Sequence, residues 1–144
     1  MRECKPLMPG HEFLLWLVIM SLGVPASAAP LRVPTHADVS YGPHELQLLD
    51  LHVPPEGDGP FSVLIWYGGI WKPAKHVPDP NRFLSKGIAL VGVQTRTMTD
   101  GMQEKVPAPV SFVLEDACRA VQFVRLNAKK WNLDPNRIAV GGGS

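Results

Sequence analysis

The end of this 144-residue sequence leaves few folds open. Ile138-Ala139-Val140 is a short apolar run with the composition of a buried strand, and it enters Gly141-Gly142-Gly143-Ser144 directly. A buried strand, a glycine, one residue and then a serine is the first part of G-x-S-x-G. In that motif the serine sits on a strained turn between strand and helix, with its hydroxyl exposed as a nucleophile. Gly142 supplies the first glycine, Gly143 the variable residue and Ser144 the nucleophile. A side chain two residues before the serine would collide with the helix that follows the turn. Taken alone, Gly-Gly-Gly-Ser is also the composition of a flexible linker or an expression scar. The residues upstream favour the turn, because they supply other parts of the same arrangement in order.

The sequence begins with a targeting pattern. Arg2 and Lys5 lie in a polar start, Phe13 to Val24 is apolar, and Ala26-Ser27-Ala28 offers small residues for cleavage after Ala28 or Ala29. The apolar run suits a signal peptide and is short for a membrane span; an uncleaved anchor is the other reading. Residues 1–28 are therefore expected to be a signal peptide and residues 29–144 one partial domain, exported to the periplasm or the medium. No membrane association is expected after cleavage. Cys4 falls in the removed segment, which leaves Cys118 without a partner and the mature chain without a disulfide framework. Cys118 is expected to be a small core residue. A net charge of +1 gives no electrostatic case for nucleic acid.

Along the mature chain, apolar runs alternate with turns. Ala37–Tyr41 and Glu45–Val53 suggest an edge hairpin, and Pro54 to Pro60 a loop. Phe61–Trp66 reads as a central strand broken by Tyr67-Gly68-Gly69-Ile70-Trp71. Asn81–Lys86 reads as a short helix with Asp79 or Asn81 near its start and Gly87 as its stop. Ile88–Val93 is continuously apolar, as a strand covered on both faces should be. Gln94 to Pro109 is expected to be a long connection. Val110–Lys130 is the clearest helix, with Val113, Ala117, Val121, Val124 and Ala128 on one stripe. Leu133–Arg137 reads as a turn before the Ile138 strand. This order predicts an α/β fold: an edge hairpin, then a mostly parallel sheet with helices on both faces. Reactive groups in such sheets lie at the carboxyl ends of strands, where both glycine clusters fall.

With these residues in hand, the stretch from Glu45 to Ser144 resembles the α/β-hydrolases, more narrowly the esterase/lipase group with an H-G-G-G-W type loop. Gly68-Gly69-Ile70-Trp71 aligns with G-G-G-W, Val91–Arg96 resembles a strand ending in an aromatic–arginine pair, and Leu133–Ile138 resembles the approach to the nucleophile. The resemblance implies that Ser144 is the nucleophile, that the Gly69 and Ile70 backbone N–H groups, with Gly68 beside them, bind the oxyanion, and that Arg96 pairs with Asp116. It implies hydrolysis of carboxylic esters, small or carbohydrate-linked. Tyr67 stands where the family has His, and Ile70 where it has a third Gly. Ile70 can donate its N–H but is β-branched, so either the turn keeps φ negative there or the oxyanion site is distorted. A tight turn with an aromatic plug is the structural alternative for residues 67–71. Lys72, Lys75 and His76 are expected to be a solvated loop. His36, His44 and His52 lack metal-ligand spacing, and no nucleotide or metal motif is present, so no cofactor is expected.

The triad order in this fold is Ser, then Asp or Glu, then His, which places both partners of Ser144 after it. The chain is thus expected to be an amino-terminal fragment with little activity of its own. Two other readings stand beside this one: part of a prolyl-oligopeptidase-like peptidase, and a non-catalytic module that keeps the fold. A reading frame that continues with x-Gly and later Asp and His favours the enzyme, whereas a stop codon after Ser144 favours an inactive product.

Overall fold

The computed structural model describes residues 33–143. The expected signal peptide and Ser144 itself lie outside the described residues. Five strands form one sheet in the order β1-β2-β4-β3-β5. They are β1 (His36–Ser40), β2 (Leu48–His52), β3 (Phe61–Tyr67), β4 (Ile88–Val93) and β5 (Leu133–Gly142). The hairpin β1–β2 is antiparallel and sits at one edge, as the sequence implies. β2 also meets β4 antiparallel, while β4–β3 and β3–β5 are parallel. The sheet is therefore an antiparallel edge hairpin followed by parallel strands, in the order the sequence implies.

Strand chemistry fixes the two faces. Phe61, Val63 and Ile65 alternate with half-buried Ser62, Leu64 and Trp66 along β3. The first set joins Leu49, Leu51, Val91 and Val93 in the main core, which α3 (Val110–Asn127) closes with Ala120 and Val124. On the other face, α1 (Pro80–Leu84) packs against β4. Asp79 caps α1 by accepting the Asn81 N–H at 3.0 Å, and Gly87 follows it at φ +68°.

Five local expectations change. The connection after β4 contains a helix, α2 (Met98–Gln103), closed by a reciprocal capping box between Thr97 and Asp100. α3 ends at Asn127 and tightens into a 3-10 turn over Ala128–Trp131. The buried stripe of α3 runs through Val113, Asp116, Ala120 and Val124, with Ala117 and Val121 only half-buried. Cys118 lies two positions from both Asp116 and Ala120 and is exposed rather than in the core. Residues 134–137 form an irregularity within β5, whose ladder to β3 jumps from Leu133 to Ile138.

Candidate active site

The ends of two adjacent strands define the site. β3 ends at Tyr67 and turns through Gly68 and Gly69; its neighbour β5 ends at Gly142. Tyr67 and Gly142 are partners in the parallel ladder, and one residue further the Gly143 N–H donates to the Tyr67 carbonyl at 3.0 Å. Both glycine clusters therefore leave the sheet side by side, at the carboxyl ends of adjacent parallel strands. Ser144 follows Gly143 in the chain.

The turn after β3 faces a cavity of about 180 Å³ lined by Tyr67, Gly68, Gly69 and Ile70, with Val93, Val113 and Leu114 as apolar walls. The sequence-predicted oxyanion residues are thus brought together around one hollow. Ile70 keeps a negative φ: the non-glycine residues with positive φ among those described are Asp38, Lys105 and Asn132. The β-branched side chain is accommodated without left-handed strain. At Gly69 φ is likewise not positive, and a Cβ built there would meet nothing within 4 Å. Neither backbone conformation nor the described neighbours demand glycine, so its effect is to leave the backbone open to whatever approaches.

Tyr67 occupies the position of the expected His and has a defined bond. Its hydroxyl donates to the Ala117 carbonyl of α3 at 2.8 Å, which ties the end of β3 to the helix across the sheet face. Burial pushes its pKa up, so it remains a protonated donor through neutral pH. The aromatic plug and the open turn are therefore both realised: Tyr67 packs and bonds inward, and the glycines after it stay free. On the far side of the turn, the Met98 N–H donates to the Ile70 carbonyl at 2.9 Å.

Arg96 and Asp116 form the support expected of them. Asp116 is fully buried and accepts from the Arg96 backbone N–H at 2.8 Å, from Arg96 Nη2 at 2.7 Å and from Gln47 Nε2 at 2.6 Å. Burial acts to raise the carboxyl pKa, but the hydrogen bonds from Arg96 and Gln47 outweigh it and hold the group below its usual range. The guanidinium also lies 4.0 Å from the centre of the Phe112 ring. Gln47 has no local signal in the sequence, since it acts across 69 residues. Lys75 is not solvated as expected; its side chain is 17% exposed and paired with Asp38 and Asp50. Lys72 and His76 are exposed. No group of three or more His, Cys, Asp or Glu among the described residues is arranged to hold a metal.

The strand order, the hairpin edge and the helices packed on the sheet define the α/β-hydrolase fold, with two glycine clusters at neighbouring strand ends. The chain belongs to the BD-FAE family, whose sequence profile matches residues 49–144. Among solved structures it is similar to a truncated form of a carbohydrate esterase from gut microbiota, with 27% identity, a TM-score of 0.61 and coverage of 81% of this chain and 41% of that one. It is similar to a bifunctional GH43-CE protein of Bacteroides eggerthii, with 26% identity, a TM-score of 0.61 and coverage of 76% and 16%. An acetyl ester-xyloside bifunctional hydrolase from Caldicellulosiruptor lactoaceticus shares 31% identity over 67% of this chain and 35% of its own, with a TM-score of 0.50. The chain spans less than half the length of each. No curated protein matches the sequence.

Proposed function

We propose that this chain is the nucleophile-bearing part of an exported serine hydrolase that cleaves carboxylic esters. The observation that carries this reading is the 3.0 Å hydrogen bond from Gly143 N–H to the Tyr67 carbonyl, which sets the residue before Ser144 beside the turn at Gly68–Ile70. In the proposed reaction Ser144 Oγ attacks the acyl carbonyl carbon while a base takes its proton. The carbonyl oxygen becomes an oxyanion held by the N–H groups of Gly69 and Ile70, and its collapse expels the alcohol and leaves an acyl-serine. Water then attacks the acyl carbon, the bond to Ser144 Oγ breaks, the carboxylic acid leaves and Oγ recovers its proton from the base. The apolar cavity walls at Val93, Val113 and Leu114 suit the alkyl part of an acyl group.

The base and its orienting carboxylate would follow Ser144 in a longer polypeptide, so the 144-residue chain alone is expected to be inactive. Residues 1–28 would direct export to the periplasm or the medium, and no membrane association would remain after cleavage. Carbohydrate-linked esters are the proposed substrate class, supported by family membership and by the structures described as a carbohydrate esterase and an acetyl ester-xyloside hydrolase.

The test is turnover of p-nitrophenyl acetate and of an acetylated xylo-oligosaccharide by the polypeptide of the complete reading frame. Ser144→Ala should lower kcat by about 10³- to 10⁶-fold. Activity retained in that variant would refute the reading. A complete reading frame with no turnover of either ester would favour a non-catalytic module.

A further inference from the structure

The chain from Gly68 to Pro78 has no helix or strand, and among the described residues its backbone is held to the rest of the fold by the bond from Met98 N–H to the Ile70 carbonyl. Something else must keep so open a segment in one place. Gly68 lies against residues 74–76, since a Cβ built on it would sit 3.6 Å from the Ala74 carbonyl oxygen and 3.7 Å from His76 Cδ2. The glycine turn is therefore walled by the residues that flank Lys75.

Lys75 is fixed at two points. Its ammonium is 2.7 Å from Asp50 Oδ1 on β2 and also contacts Asp38 on β1. Its carbonyl crosses β4 above Gly92, where a built Cβ would be 2.9 Å away, so only glycine lets the segment lie this close. Asp50 and Gly92 are partners across the β2–β4 ladder, so the anion and the opening form one seat. The hairpin itself is bent toward this seat. The β1–β2 register breaks between His36 and Val39, where Asp38 takes φ +52° and donates its N–H to Asp50 Oδ1 at 2.8 Å. Bulges of this kind re-aim a side chain, and strain of this kind persists where the surroundings enforce it. Burial acts to lower the Lys75 pKa, but hydrogen bonds to both carboxylates outweigh it, so the charge is retained.

We propose that Lys75 is a positioning residue for the oxyanion turn: its ion pairs with Asp50 and Asp38 clamp residues 72–76 onto the sheet and thereby hold Gly68, Gly69 and Ile70 in place. This rests on the reading of that turn as the oxyanion-binding element. The clamp works at a distance from the reacting atoms and contributes by restricting where the turn's N–H groups lie. A misplacement of about 1 Å in such groups can cost around 10²-fold in rate.

The test has two arms. In the 144-residue chain, amide exchange is followed by NMR for Lys75→Met and Lys75→Arg. Lys75→Met should raise the exchange rate of the Met98 amide about tenfold or more, while the Ile65 and Val91 amides of the central ladder hold theirs; Lys75→Arg should stay near wild type. Should Lys75→Met fail to fold, Asp50→Asn gives the same comparison with the amine retained. In the complete reading frame, Lys75→Met should lower kcat about 10- to 100-fold with KM within about twofold, and Lys75→Arg should recover most of it. Unchanged Met98 exchange, or a rise shared equally by all three amides, overturns the clamp. Faster Met98 exchange with kcat unchanged overturns its catalytic relevance. Loss of the Ser144 assignment would appear separately, as activity surviving Ser144→Ala, and leaves the exchange arm decisive for the clamp.

Discussion

The Gly143 N–H and the Tyr67 carbonyl, 3.0 Å apart, join the ends of two strands separated by more than seventy residues of sequence. The bond continues the β3–β5 ladder beyond the last paired strand residues and fixes the direction in which the chain leaves toward Ser144. It depends on the close fit beneath it. A Cβ built on Gly141 would lie 2.9 Å from Cε3 and Cζ3 of Trp66, its ladder partner on β3. Gly141→Ala is expected to force the indole aside and destabilise the fold by about 1–3 kcal/mol, read as a lower midpoint in urea. An unchanged midpoint would mean that this contact is loose.

Asp116 supports the other end of the same region. Removing a fully buried carboxylate takes the Gln47 amide's acceptor away and leaves the Arg96 guanidinium only the exposed Glu115 at 3.5 Å. Asp116→Ala is expected to cost about 3–5 kcal/mol, a large share of the stability of a typical domain. The folded pKa lies below the unfolded value, so the stabilisation is complete above about pH 4 and is lost as pH falls through the folded pKa. Urea midpoints measured from pH 5 downward should fall steeply in the wild type, and less so in Asp116→Asn.

His52 gives a second pH limb of the same sign at higher pH. It is buried at the end of β2, and its Nδ1 has no hydrogen-bond partner among the described residues. Burial lowers its pKa, against a smaller opposing effect from Asp50. The unfolded chain therefore takes up a proton near pH 6.5 before the folded one does, and stability falls as pH drops below that value until the folded pKa is reached. His52→Leu should flatten the slope of stability between pH 7 and 5. A slope unchanged by the substitution would assign it to other groups.

Cys118 offers a direct check on the register of α3. Its thiol is exposed on the helix, while Ala120, two residues on, is fully buried. A maleimide reagent should label Cys118 in native buffer without denaturant, with the adduct located by peptide mass. Labelling only after unfolding would rotate the helix by about one position relative to the sheet.

The sheet and its helices were legible because their apolar runs are long and bounded by glycine and proline. Phe61–Tyr67, Ile88–Val93 and the body of α3 fall where periodicity puts them. The two glycine clusters were legible as strand ends for the same reason. α2 escaped because six residues are too few for a periodic signal, although the Thr97–Asp100 spacing carries its capping box. Along α3 and the 3-10 turn after it, Val113, Val124 and Ala128 are buried as the stripe implies, whereas Ala117 and Val121 are half-buried and Cys118 is exposed; Ala117, Cys118 and Ala120 are all small, and small residues mark a face poorly. Lys75 and Gln47 were not legible at all. Their roles come from partners 25 and 69 residues away, and only the assembled sheet brings those together.

The most direct measurement is covalent labelling of the polypeptide of the complete reading frame with a fluorophosphonate, followed by peptide mass mapping. The proposed site requires a single adduct on Ser144, competed by an acetyl ester and lost in Ser144→Ala. An adduct on another residue, or ester turnover by a protein whose Ser144 stays unmodified, would contradict it.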